Sequence, residues 1–215
     1  MNTTQFINWL PELLQGLGLT VGASLVCIAT SVLWGCLIAS LASLRNPVLT
    51  PILRSYTSIF RNSPLLVQLF FCFYGLPFLG VNLSALACGI LAVTLNEGAF
   101  IAEIVRGAIR NVPKGEIEAA YSLGLTRPQV VARVIFPLAV RASVPMITGQ
   151  ASIVIKDTSL FSMIMILDLT RAGDRFYSRY FSVSSIWIVA VIYIALFLIF
   201  NTAGRLIERR VKVRR

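Results

Sequence analysis

A chain of 215 residues with 57% hydrophobic and 13% charged content lies far from soluble domains, which average about 25% charged residues. There is no histidine, which removes His-based catalytic triads and His metal sites. Cys27, Cys36, Cys72 and Cys88 sit inside apolar runs at spacings that match no zinc or redox motif, as small buried hydrophobes do.

No charge occurs from Leu13 to Leu44, from Asn62 to Asn96, or from Phe181 to Gly204. A hydrocarbon core about 30 Å thick needs roughly 20 mostly apolar residues per helical span. The expected fold is therefore an all-α integral membrane protein of one domain, residues 1–215, with about five transmembrane helices.

The first span is expected at about 13–44, longer than a bilayer requires, so that it tilts or projects. No basic residue precedes Arg45, so the run lacks the charged start of a signal peptide and reads as a true span. Gly18 and Gly22 have the spacing that lets another helix approach closely. From Arg45 to Arg61, Pro47 and Pro51 interrupt helix continuity, and the segment reads as a loop or a surface helix. Gly75, Pro77, Gly80 and Asn82 divide the next uncharged run into a second span at about 63–76 and a third at about 83–104.

Residues 105–141 are amphipathic and basic, forming the largest element outside the membrane. A fourth span follows at about 142–167, interrupted by Lys156 and Asp157. The polar segment 168–180 carries Arg171, Asp174, Arg175 and Arg179, and the fifth span is expected at 181–204. Lys and Arg number fifteen on one side and three on the other, with Lys156 in the membrane. The positive-inside rule then places residues 105–141 and the C-terminus in the cytoplasm and the N-terminus outside. The net charge of +10 is thus a topology signal rather than a nucleic-acid footprint. The tail 205–215 is suited to anionic membrane lipid.

Within 105–141, Pro113 is placed to open a short helix with Glu116 and Glu118 near its positive end. Ala119, Ala120 and Leu123 make a small apolar face. Gly124 is placed to end the helix, and Pro128 to open the next. Two short helices joined by an elbow suit docking into a partner's groove; an amphipathic loop resting on headgroups is the other reading.

Glu118-Ala119-Ala120, Gly124, Ile135 and Pro137 resemble the EAA loop of importer-type ABC permeases. Asn96 to Glu103 with Arg106-Gly107, Ile155 to Leu160, and Arg61-Asn62-Ser63-Pro64-Leu65 resemble the corresponding segments of the polar amino-acid uptake permeases. This resemblance implies a multi-pass permease subunit of the bacterial inner membrane, paired with an identical or related permease. It implies a coupling helix at Glu118, Ala119, Ala120, Leu123 and Gly124 that seats in an ABC ATPase dimer, and an extracytoplasmic binding protein that delivers a polar amino acid. No cofactor is expected in the chain, since it has no phosphate-cradling Gly-x-x-x-x-Gly-Lys-Ser/Thr loop and ATP falls to the partner. The rival is a self-sufficient amino-acid channel or secondary transporter.

Charges inside a bilayer each cost about 2.5 to 3.5 kcal/mol on insertion scales and require partners, water or ligand. Asn96, Phe100 and Glu103 recur on one helical face, expected to line the interior. Thr158 and Ser159 can satisfy backbone groups if the helix breaks beside Asp157. Asn96, Glu97, Phe100, Glu103, Asp157, Thr158 and Ser159 are accordingly the candidate substrate site, chemically suited to a zwitterion. The bland alternative is that Lys156 neutralises Asp157 and Glu103 pairs with Arg106.

Overall fold

The computed structural model describes residues 2–43 and 46–211. Leu44, Arg45 and the end of the basic tail, with Lys212, Arg214 and Arg215, lie outside the described residues.

Helix α1 runs from Thr3 to Ser43, 41 residues with Pro11 inside, so it begins well before the charge-free stretch. At 1.5 Å per residue it is about 60 Å long, twice the hydrocarbon thickness. Its crossing with α4 (Ala85–Arg110) is set by two glycines. A Cβ on Gly35 would stand 2.7 Å from the Cβ of Ile101 and 2.8 Å from the carbonyl of Gly98, and one on Gly98 would stand 2.7 Å from the Trp34 ring. Gly18 and Gly22, the expected close-approach pair, have nothing within 4 Å of a built Cβ. On α1 the tight packing within the chain falls instead at Gly16 and Gly35, and on α4 at Gly89 and Gly98.

The segment after α1 is a helix, α2 (Leu49–Asn62), followed by α3 (Leu65–Phe70). A π turn (Phe71–Gly75) and a 3-10 turn (Leu76–Leu79) prolong α3. The two halves meet at 107°. Ser63 is extended because Pro64 disfavours the helical region in the residue before it. Leu53 is buried and Leu49 and Tyr56 pack with it against Ile38 of α1 and Ala102 of α4, a 3.6-residue stripe that draws α2 onto the bundle. Of the two readings of residues 45–61, the chain takes the helical one, with Pro51 in the first turn of α2 where a proline is tolerated.

After α4 come α5 (Lys114–Ser122) and α6 (Arg127–Val130). A π turn (Val131–Ile135) leads into α7 (Phe136–Asp157). Helix α7 tightens into a 3-10 turn over Thr158–Ile164, which ends at Met165 with φ 67°. The helical path thus changes beside Asp157.

Residues 168–180 contain an amphipathic helix, α8 (Leu169–Tyr180), that buries Leu169, Ala172, Gly173 and Phe176. Trp9 of α1 stacks on Phe176 with centroids 4.7 Å apart and donates its indole N–H to the Ala172 carbonyl at 2.9 Å. The last helix, α9 (Ser184–Val211), buries few residues and turns Trp187, Val191, Ile194 and Ile199 outward.

Among the described residues four helical stretches are long and apolar enough to cross a membrane, and the bent α2–α3 pair makes up to five. Cys27, Cys72 and Cys88 are buried in the core with Leu69, Ala92 and Phe161, and all four cysteines are free. Helix α8 packs on the N-terminal half of α1, whereas α2 packs on its C-terminal part. Helix α8 and the α5–α6 elbow therefore occupy opposite ends of the bundle.

Candidate functional site

The elbow is built by local chain chemistry. Pro113 is extended and precedes α5, Glu116 sits in its first turn, and Gly124 follows it at φ 77°. The Gly124 and Leu125 amides return to the Tyr121 and Ala120 carbonyls at 2.9 and 3.3 Å, so the end of the helix is satisfied by a glycine cap. The Gln129 side chain accepts from the Thr126 amide at 2.9 Å and starts α6. Ile117, Ile135 and Leu138 pack on buried Ala108, Val112 and Ala139, which seats the elbow on the ends of α4 and α7.

Of the five residues expected to couple, Glu118, Ala119, Leu123 and Gly124 are exposed, with Leu123 80% exposed. Ala120 is 4% exposed and faces the bundle. The outward surface is therefore made by Glu118, Ala119 and Leu123 together with Tyr121, which the sequence pattern had not singled out.

The seven intramembrane residues separate into two groups. Asn96 donates its carboxamide to the Phe60 carbonyl at 2.7 Å. Phe100 lies under the Arg61 guanidinium, 5.2 Å from centroid to carbon. Glu103 is paired with Arg106, lies 3.8 Å from Arg61 and accepts from the Thr57 hydroxyl at 3.1 Å. The shared face of Asn96, Phe100 and Glu103 is thus occupied by α2 and does not line an open interior. Glu103 pairs with Arg106 as the structural alternative requires.

Glu97 points elsewhere. It is 2% exposed and accepts from Gln150 of α7 at 2.7 Å, and the Asp157 carboxyl lies beside it. Thr158 is fully buried; its hydroxyl donates to the Ile155 carbonyl at 2.8 Å and lies 3.2 Å from the Ser24 hydroxyl of α1. It fills the hydrogen-bonding role expected at a helix break. Ser159 is half-buried, and its carbonyl accepts from Ser162 at 2.7 Å. Among the described residues Lys156 makes no ion pair with Asp157; it lies over the Phe197 ring at 4.8 Å. The carboxyls of Glu97 on α4 and Asp157 on α7, side by side with Gln150 donating to the first, are what the fold brings together.

Two amides were missed by reasoning from charge alone. Gln68 donates to the Phe60 carbonyl at 2.9 Å and to the Ser63 hydroxyl at 2.8 Å, closing the α2–α3 bend. Gln150 bridges to Glu97. Each is an uncharged but strongly polar side chain within an apolar run, and that was the available signal.

A bundle of membrane-crossing helices with broken segments, intramembrane carboxyls and a two-helix elbow at one end defines a membrane transport component. Residues 31–213 match the family model described as binding-protein-dependent transport system inner membrane component. The chain belongs to that family and is a multi-pass inner membrane protein. It is 33% identical over 207 residues to the glutamine transport system permease protein of Escherichia coli strain K12, covering 95% of this chain and 94% of that protein. It is 38% identical over 159 residues to the L-cystine transport system permease protein of Bacillus subtilis strain 168, covering 72% of this chain and 67% of that one. Its fold superposes on a crystal structure of an amino acid ABC transporter with histidines at TM-score 0.89 and 31% identity, covering 98% of this chain and 99% of the other.

Proposed function

We propose that this chain is the permease subunit of an ATP-binding-cassette importer that moves a polar amino acid inward across the bacterial inner membrane. The observation that carries this reading is the α5–α6 elbow, which presents Glu118, Ala119 and Leu123 outward around the Gly124 cap. Such a surface fits a cleft on a separate ATPase dimer, which binds and hydrolyses ATP. Similarity to permease proteins of glutamine and cystine transport systems supports an amino-acid cargo. A second permease, identical or related, completes the translocation path, and an extracytoplasmic binding protein delivers substrate at the end where α8 lies.

The elbow faces the cytoplasm in this reading, with the N-terminus outside and the C-terminus inside. Arg106, Arg110, Lys114, Arg127, Arg133 and Arg141 flank the elbow, in keeping with the positive-inside rule.

Glu97, Asp157 and Ser159 form the part of the candidate substrate site that this chain offers, with the carboxyls matched to the substrate's ammonium group. Asn96, Phe100, Glu103 and Thr158 serve as the framework that holds α2 and α1 against it. Closure of the ATPase dimer moves the elbows, and the span bundles rock about this midplane cluster to alternate access.

Reconstituting the assembled transporter in vesicles and measuring ATP hydrolysis with uptake tests the reading. Glu118→Lys is expected to remain in the membrane while abolishing ATP-driven uptake. Undiminished uptake in that variant, or uptake by the chain without its ATPase, sinks the docking role and favours a self-sufficient transporter.

A further inference from the structure

A cavity of about 1270 Å³ lies at the elbow end of the bundle, between the last turn of α1, the first half of α2, the C-terminal end of α4, and α5–α6. Four guanidiniums line it, from Arg54, Arg106, Arg110 and Arg127. Arg106 is neutralised by Glu103. Arg54, Arg110 and Arg127 form no ion pair among the described residues, and no carboxylate lines the cavity. Three guanidiniums facing one concavity without an anion repel one another, which favours a bound negative group.

The rest of the lining is of two kinds. Ile109, Ile117 and Ile135 make an apolar wall. Thr50 also lines the cavity, and its buried hydroxyl has no hydrogen-bond partner among the described residues. On the helices that border the cavity, Ile52 and Ile59 of α2, Val48 just before it, and Leu33 and Leu37 of α1 are exposed. Arginine clusters bind phosphate oxygens through forked, charge-assisted hydrogen bonds. A phosphate held here would have an apolar surface alongside it for acyl chains.

We propose that this cavity is a binding site for a phosphate-bearing anion, ligated by Arg54, Arg110 and Arg127. An anionic phospholipid headgroup and free phosphate share that chemistry, and the flanking apolar strips of α1 and α2 favour the lipid. Placing the lipid in the cytoplasmic leaflet rests on the proposed orientation of the elbow; the binding site itself does not depend on ATPase coupling. Occupancy would tie the start of α2 to the elbow, so that lipid composition acts on the coupling surface.

Native mass spectrometry of the assembled transporter, offered phosphatidylglycerol, phosphatidylcholine or inorganic phosphate, tests the site. Phosphatidylglycerol is expected to be retained at least about tenfold more strongly than phosphatidylcholine. The triple variant Arg54→Gln, Arg110→Gln, Arg127→Gln loses that preference, whereas Arg209→Gln with Arg210→Gln at the far end of α9 keeps it. If the triple variant does not assemble, each single variant is expected to weaken retention about threefold. Displacement by millimolar inorganic phosphate identifies free phosphate as the ligand, and resistance identifies the lipid; both support the phosphate site. Equal retention by wild type and the arginine variants, or an equal loss in the α9 control, overturns it. Because retention is read without ATP, its failure is distinct from a failure of coupling, which appears only in hydrolysis and uptake.

Discussion

The carboxamide of Asn96 on α4 donates to the main-chain carbonyl of Phe60 on α2 at 2.7 Å, and Gln68 on α3 donates to the same oxygen at 2.9 Å. The 107° break between α2 and α3 frees carbonyls at the end of α2, and an unpaired carbonyl inside a membrane protein costs several kcal/mol. The bend is therefore held from both of its sides.

Replacing Asn96 with Leu removes the donor from α4 and leaves the Phe60 carbonyl with Gln68 alone. A loss of about 1–3 kcal/mol in stability is expected, read as a lowered midpoint of thermal unfolding in detergent. The double variant Asn96→Leu, Gln68→Leu should lose more than the sum of the singles, because only it strips the carbonyl of both donors. Additive losses would show that the two amides do not share that task.

The crossing of α1 and α4 gives a sharper contrast. Gly98→Ala drives a methyl group to 2.7 Å from the Trp34 ring, and Gly35→Ala drives one to 2.7 Å from Ile101; overpacking of this kind costs about 1–3 kcal/mol. Gly22→Ala meets nothing within 4 Å in this chain and should leave its melting midpoint unchanged or raise it, since alanine is the better helix former. Equal tolerance at Gly22 and Gly98 would contradict the observed crossing.

The Glu103 carboxylate, with Arg106, Arg61 and Thr57 around it, is a clasp between α2 and α4. Glu103→Gln should lower stability by on the order of 1 kcal/mol and reduce uptake only in proportion to the folded protein, with KM unchanged. Glu97→Gln and Asp157→Asn should instead alter uptake more than assembly. A raised KM in Glu103→Gln alone would assign substrate contact to Glu103.

Asp168 begins α8 and has no solvent exposure. Its carboxyl accepts from the Arg171 amide at 2.8 Å, but burial outweighs this and pushes its pKa up from 3.8 to about 6. The folded chain thus holds the proton more tightly than the unfolded chain. The resulting stabilisation is complete below pH 3.8 and is lost as pH rises through about 6. Unfolding midpoints at pH 5 should exceed those at pH 8 by about 2–4 °C, the size expected of roughly 1 kcal/mol in a chain of this length. Asp168→Asn should flatten that difference; an unchanged slope would assign it to other groups.

Gly124 adopts φ 77° with open space around its Cβ position, so Gly124→Ala introduces backbone strain and no clash. About 1 kcal/mol of local cost is expected, with ATP-driven uptake reduced. Gly124→Asp adds a charge at the proposed docking surface and should abolish uptake while the chain stays in the membrane. Full uptake by Gly124→Asp would remove the elbow from the coupling interface.

Local signals foretold the ends of the elbow well. Pro113, Gly124 and Pro128 each act through their own backbone geometry, and the structure places α5 and α6 where those residues allow. Long charge-free runs likewise announced the apolar helices, because lipid demands apolar length regardless of which neighbour each helix meets. The helices α2 and α8 were harder to read: the first stood open between loop and surface helix and the second read only as a polar segment, until Leu53 meets Ile38 and Phe176 meets Trp9.

The residues of the candidate site show the same division. Period alone put Asn96, Phe100 and Glu103 on one face, but it could not say that α2 covers that face. Nor could it say that Glu97, one residue further on, meets Gln150 from a helix more than fifty positions away. Composition and charge by themselves determined a membrane bundle with a basic side and an elbow, since these follow from lipid solvation and local backbone preference. Which carboxyl is clasped by arginine and which stands beside Asp157 was decided only by tertiary packing, because pairing depends on the rotation of each helix about its axis and on the glycine contacts that fix their approach.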